Sequence, residues 1–134
     1  MFSHRGKIHI GAGRTISMEE KALMLYGYRA ADIAAVTAAV SGAIGAPVTA
    51  FDASGLERSS VSEVLRGGCT PHAPACGTRF LMFVGFGDTE ILASMRAVTL
   101  EPRPLFCCLT PSNVSWEIGT LASHLEEERE ACSR

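Results

Sequence analysis

The sequence predicts an α/β fold: a small four-stranded, mainly parallel sheet built from two tandem βαβ-type repeats, with a long C-terminal helix. Three observations carry this. Leu23-Met24-Leu25-Tyr26-Gly27-Tyr28 is matched by Leu81-Met82-Phe83-Val84-Gly85-Phe86 at an offset of 81 − 23 = 58, and self-similarity at a fixed spacing marks a repeated unit. Both runs are apolar on both alternating faces, as strands covered on two sides are. Each is followed by a helical period and a second apolar run, Val48 to Phe51 and Leu105 to Leu109, the alternation that surrounds parallel sheets. The competing arrangement is a ferredoxin-like α+β sandwich, in which only one sheet face is covered.

Taken in order, residues 1–20 stand apart. They hold His4, Arg5, Lys7, His9 and Arg14 with no acid before Glu19, and no period is sustained. They read as a basic arm, either disordered or upstream of a true start at Met18. Residues 21–134 read as one α/β domain, with repeats at 21–66 and 79–131 joined by a Cys/Pro/Gly linker at 67–78.

In the first helix Ile33, Val36, Val40 and Ile44 form one stripe, and Gly45 with Pro47 supplies the stop. Asp32 is its only charge; Ala31, Ala34, Ala35 and Ala38 make the other face, so helix 30–44 is the expected surface for homo-oligomer formation. Ser60-Val61-Ser62-Glu63 has the spacing of a capping box. In the second half Asp88 is the expected N-cap, with Ile91, Met95 and Val98 as the buried stripe. Ile118, Leu121, Ala122 and Leu125 fall at i, i+3, i+4 and i+7 of the last helix. Its end, Glu126-Glu127-Glu128-Arg129-Glu130, carries four acids where the helix dipole disfavours them.

Bulk properties exclude more than they assign. The 134 residues suit one core. Twelve basic against 14 acidic residues give a net charge of -2, which argues against nucleic acid or an anionic membrane as partner. The longest charge-free window, Ile33 to Phe51, is mostly Ala, Thr, Ser and Gly and is broken by Gly42, Gly45 and Pro47, so no membrane span is expected. Five cysteines, two of them adjacent in a strand pattern, indicate reduced thiols and a cytoplasmic location. Ten of the 12 basic residues are Arg, a composition expected of a GC-rich bacterial genome.

No catalytic signature is present, so no catalytic residue is assigned. In a parallel sheet, ligands bind beyond the carboxyl ends of the strands where strand order reverses. That rule nominates Tyr28, Asp52, Asp88, Thr110, Asn113 and Trp116 as ligand-facing. The junction Leu109-Thr110-Pro111-Ser112-Asn113-Val114-Ser115-Trp116 also has a purely structural explanation, with Asn113 capping the last helix through the N–H of Ser115 or Trp116. Cys69, His72 and Cys76 offer three of the four ligands that zinc prefers, with no obvious fourth, so an incidental linker is the plainer reading and zinc the alternative. The function expected is a non-catalytic ligand-binding or regulatory module; the alternatives are a metal- or thiol-dependent enzyme using Cys69, His72 and Cys76, and a protein-interaction subunit.

Thr110-x-x-Asn113-x-x-Trp116, followed by Leu121, Leu125 and Glu126-Glu127-Glu128, resembles the bacterial family called domain of unknown function 3783. The likeness runs over about residues 80 to 130. It implies a small domain without an assigned activity and adds no catalytic residue.

Overall fold

A computed structural model describes residues 7–9, 15–17, 21–74 and 77–132. Strands β1 (Lys7–His9) and β2 (Thr15–Ser17) pair antiparallel as a separate ladder, which the aperiodic sequence of the N-terminal arm does not announce. The proposed start at Met18 lies outside the described residues.

The main body follows the predicted order: β3 (Ala22–Tyr26), α1 (Ala30–Ile44), β4 (Thr49–Asp52), α2 (Val61–Arg66), β5 (Phe80–Val84), α3 (Asp88–Ala97), β6 (Leu105–Cys108) and α4 (Ile118–Cys132). The sheet order is β4-β3-β5-β6. β3 pairs parallel with β4, and β5 with β6; the central pair, β3 with β5, is antiparallel. The sheet is therefore two parallel βαβ units joined back to back, mostly parallel with one antiparallel pair.

Every residue of β3 and β5 is buried, because helices cover both faces. Leu23, Leu25, Leu81 and Phe83 point to one side, where they meet Ile33, Val36 and Val40 of α1. Met24, Tyr26, Phe80 and Met82 point to the other and meet Leu65 of α2 with Ile118, Leu121, Ala122 and Leu125 of α4. Two covered faces separate this fold from the ferredoxin-like alternative.

Local signals act as chemistry requires. Gly45 closes α1 in the left-handed conformation, φ 69°. The capping box of α2 is present: Ser60 Oγ accepts from Glu63 N at 3.1 Å, and Glu63 Oε1 accepts from Ser60 N at 2.8 Å. At α3 the cap is Gly87 rather than Asp88, whose backbone is already helical; Glu90 Oε1 accepts the Gly87 N–H at 2.9 Å.

The shared offset of 58 needs one correction. The ladders set Leu23 opposite Ala50 and Leu81 opposite Phe106, so the second strands correspond at 106 − 50 = 56. α1 has 15 residues and α3 has 10, while the connection after α3 is three residues longer. Asp52 thus corresponds to Cys108.

Candidate functional site

The antiparallel central pair decides where candidate residues can meet. The carboxyl ends of β3 and β4 lie at one end of the sheet and those of β5 and β6 at the other, since Tyr26 pairs with Phe80 and Ala22 with Val84. The single crevice expected from the sequence is therefore divided. Tyr28 and Asp52 sit at one end, and Asp88 and Thr110 at the other. The crevice rule assumes that all strands point the same way, and the central pair does not.

Each end is closed by a cation. Lys21, ahead of β3, donates to Gly85 O at 3.1 Å, lies 5.9 Å from the Phe86 ring centroid and pairs with Glu90 at 3.1 Å. Arg79, ahead of β5, donates from Nε to Gly27 O at 3.1 Å and lies 6.0 Å from the Tyr28 centroid. Lys21 and Arg79 are themselves 79 − 21 = 58 residues apart, so each strand entrance carries a cation that holds the glycine carbonyl leaving the other strand. That signal was readable in the sequence and is absent from the nominated residues. Burial alone would raise the Glu90 carboxyl, yet the Gly87 N–H and Lys21 outweigh it and hold the group below its ordinary value.

Tyr28 is buried, and its hydroxyl donates to Pro102 O. Burial pushes the phenol up to about 12, with Arg79 opposing and Glu101 and Asp32 adding to the rise. A neutral, buried phenol that bonds a backbone carbonyl fastens the loop before β6.

Thr110 and Asn113 close a turn on each other. Asn113 Oδ1 accepts from Thr110 N at 2.9 Å, Thr110 Oγ1 accepts from Asn113 N at 3.0 Å, and Asn113 Nδ2 donates to Cys108 O at 3.0 Å. The amide thus binds the turn behind it rather than the N–H of Ser115 or Trp116. Asn113 is 8% exposed. Trp116 is half-buried, packs against the α2/α4 core and meets the His124 ring edge-on at 5.1 Å. Val61 N donates to Trp116 O and Ile118 N to Ser59 O, both at 2.8 Å, which ties the starts of α2 and α4 together.

Of the linker residues, His72 N donates to Ser54 O at 2.8 Å. A Cβ on Gly55, φ +75°, would come within 2.4 Å of His72 Cβ, so only glycine lets the linker lie this close. Cys76 is outside the described residues. Among those described, no group of three His, Cys, Asp or Glu side chains is arranged to hold a metal ion. The strand thiols are poor nucleophiles: burial, with Cys108 and Glu128 adding, pushes Cys107 up to about 12, and burial followed by Asp88 raises Cys108.

A groove of about 770 Å³ lies between α1 and β4. Ala30, Ala34 and Ala38 of α1 line it on one side and Val48, Ala50 and Asp52 on the other, and Pro71 also contributes. Thr37 and Ser41 also line it, but their hydroxyls are turned to the carbonyls of Ile33 and Ala46 at 2.6 Å. Asp52 is its only charged residue among those described, and one carboxylate oxygen accepts the Ser54 N–H at 2.9 Å.

The corresponding place in the second half is filled. Phe106 stands where β4 has Ala50; it lies 5.9 Å from Phe83, ring to ring. Arg103 lies 5.0 Å from the Phe106 centroid and donates to Val98 O and Met95 O at 3.2 and 3.1 Å.

Residues 79–132 match a family model described as Domain of unknown function (DUF3783). The match covers β5, α3, β6 and α4, the unit in which the groove is filled. No curated protein and no solved structure matches the chain significantly. No helix among the described residues is long and apolar enough to cross a membrane.

Proposed function

We propose that this protein is a non-catalytic binding or regulatory module whose ligand occupies the groove between α1 and β4. The observation that carries the reading is the groove itself. Its volume of about 770 Å³ lies within the range of ligand sites, which are mostly apolar with a few polar groups that fix orientation. It exists because Ala34, Ala38 and Ala50 are small where the second half places Phe106 beneath Arg103. Of the six residues nominated from sequence, Asp52 is the one that lines it. Thr110 and Asn113 serve the turn, and Tyr28 the loop before β6.

Catalysis by the strand thiols is disfavoured, since both are held in the protonated form. The cytoplasm remains the compartment that free thiols at Cys69, Cys107, Cys108 and Cys132 suit best.

The test is a thermal-shift survey of amphiphilic metabolites and short peptides on the full chain and on Ala34→Trp. Ala34 is exposed, so the indole enters the groove without disturbing the core. At least one compound class should raise the Tm of the parent and leave the variant unmoved. A survey silent for both, or a response that the variant keeps, overturns the reading.

A further inference from the structure

Resting on the groove reading above, we infer that its occupant is an extended segment of another polypeptide, aliphatic with a basic residue, which adds as a strand to the free edge of β4.

Backbone accounting comes first. Among the described residues β4 is an edge strand, paired only with β3. Thr49 N donates to Lys21 O at 3.1 Å and Ala53 N to Leu25 O at 2.8 Å. Hydrogen-bonding direction alternates along a strand, so the N–H and C=O groups of Ala50 and Asp52 face away from β3. Such an edge is a template for another strand.

Side-chain direction follows the same alternation. Ala50 and Asp52 turn their side chains to the α1 side, where they line the groove, whereas Phe51 packs on the opposite face. A strand docked about 4.8 Å beyond β4 therefore lies along the groove, and every second side chain enters it against Ala30, Ala34 and Ala38. β4 has four residues, so two side chains would enter. Main-chain bonds would give affinity and the groove selectivity, as in other strand-addition complexes.

Charge selects among occupants. Among the described residues the lining is apolar except for Thr37, Ser41 and Asp52, and none of those that line the groove is a cation. Ser54 N takes one carboxylate oxygen, and a Lys or Arg on the incoming strand would meet the other. A second copy of this chain would bring a concave groove and a carboxylate of its own, which matches neither shape nor charge. A small amine would satisfy Asp52 but leave the Ala50 and Asp52 main-chain groups unpaired. The edge strand β6 offers the same backbone, but Phe106 and Arg103 occupy the space that side chains would enter.

A displayed library of random heptapeptides, selected on the immobilised full chain and counter-selected on Ala34→Glu, tests this. Recovered peptides should pair a basic residue with aliphatic residues two apart. Asp52→Asn, which keeps an acceptor for the Ser54 N–H, should weaken them about ten-fold. Exchange of the Ala50 and Asp52 amides should slow at least ten-fold in the complex. Recovery of no peptide, recovery of acidic ones, affinity unchanged in Asp52→Asn, or dimerisation through the groove overturns the inference. If small amphiphiles respond in the Ala34→Trp survey while no peptide is recovered, the strand inference falls and the groove reading stands; silence in both removes both.

Discussion

Replacing Asn113 with Ala separates a turn residue from a ligand-binding one. The substitution removes the acceptor of the Thr110 N–H and the donor to Cys108 O, bonds of 2.9 and 3.0 Å. At roughly 1 kcal/mol net per hydrogen bond, with an added penalty because the side chain is nearly buried, the loss should be about 2 to 3 kcal/mol. A helix cap of the kind the sequence suggested would cost only about 1. Thr110→Val removes the acceptor of the Asn113 N–H, 3.0 Å away, and should cost about 1 kcal/mol. Both changes break one closed turn, so the double variant should lose less than the sum of the two. Urea unfolding of the four proteins measures this, with unchanged m-values as the check that only stability has moved. A loss below about 0.5 kcal/mol for Asn113→Ala, or strict additivity in the double variant, would refute the reciprocal-turn reasoning.

Two further outcomes follow from buried polar groups. Ser94 of α3 is wholly buried, and its hydroxyl has no partner among the described residues; Ser94→Ala should raise stability by about 1 kcal/mol in the same unfolding assay, and a clear loss would mean that the hydroxyl is satisfied. The folded Tyr28 phenol, at about 12 against 10.0 unfolded, holds its proton where the unfolded chain releases it. Its contribution is therefore complete below pH 10 and disappears as pH rises toward 12. The difference in stability between the parent and Tyr28→Phe should shrink by roughly 2 to 3 kcal/mol across that window, and a pH-independent difference would exclude a raised phenol.

Features fixed by neighbouring residues were legible in the sequence. The α4 stripe of Ile118, Leu121, Ala122 and Leu125, the α2 capping box and the Gly45 stop depend on spacing alone, and each is found where spacing puts it. The direction of β5 relative to β3 was not legible. An apolar pattern on both faces reports that a strand is covered twice, and an antiparallel centre meets that condition as well as a parallel one. From that one sign followed the division of the expected crevice. Thr, Pro and Asn after a strand announce a turn, and a turn is found there, but the Asn113 amide reaches backward to Thr110 and Cys108 rather than forward to the helix. The groove was half visible. The alanine face of α1 could be read, whereas its opposition to Ala50 and Asp52 required the register of β4 on β3.

The two units share much of their backbone plan and differ in what fills it. Lys21 and Arg79 hold the exits of β5 and β3 in the same way, so the latches belong to the common framework and tie the two units together. The groove belongs to one unit only. It is built from residues within 30–71, whereas the family match begins at 79. The equivalent place in the matched unit is occupied by Phe106 and Arg103. The groove beside β4 is thus a feature of the first unit, and Ala50 facing Ala34 and Ala38 is the difference that creates it.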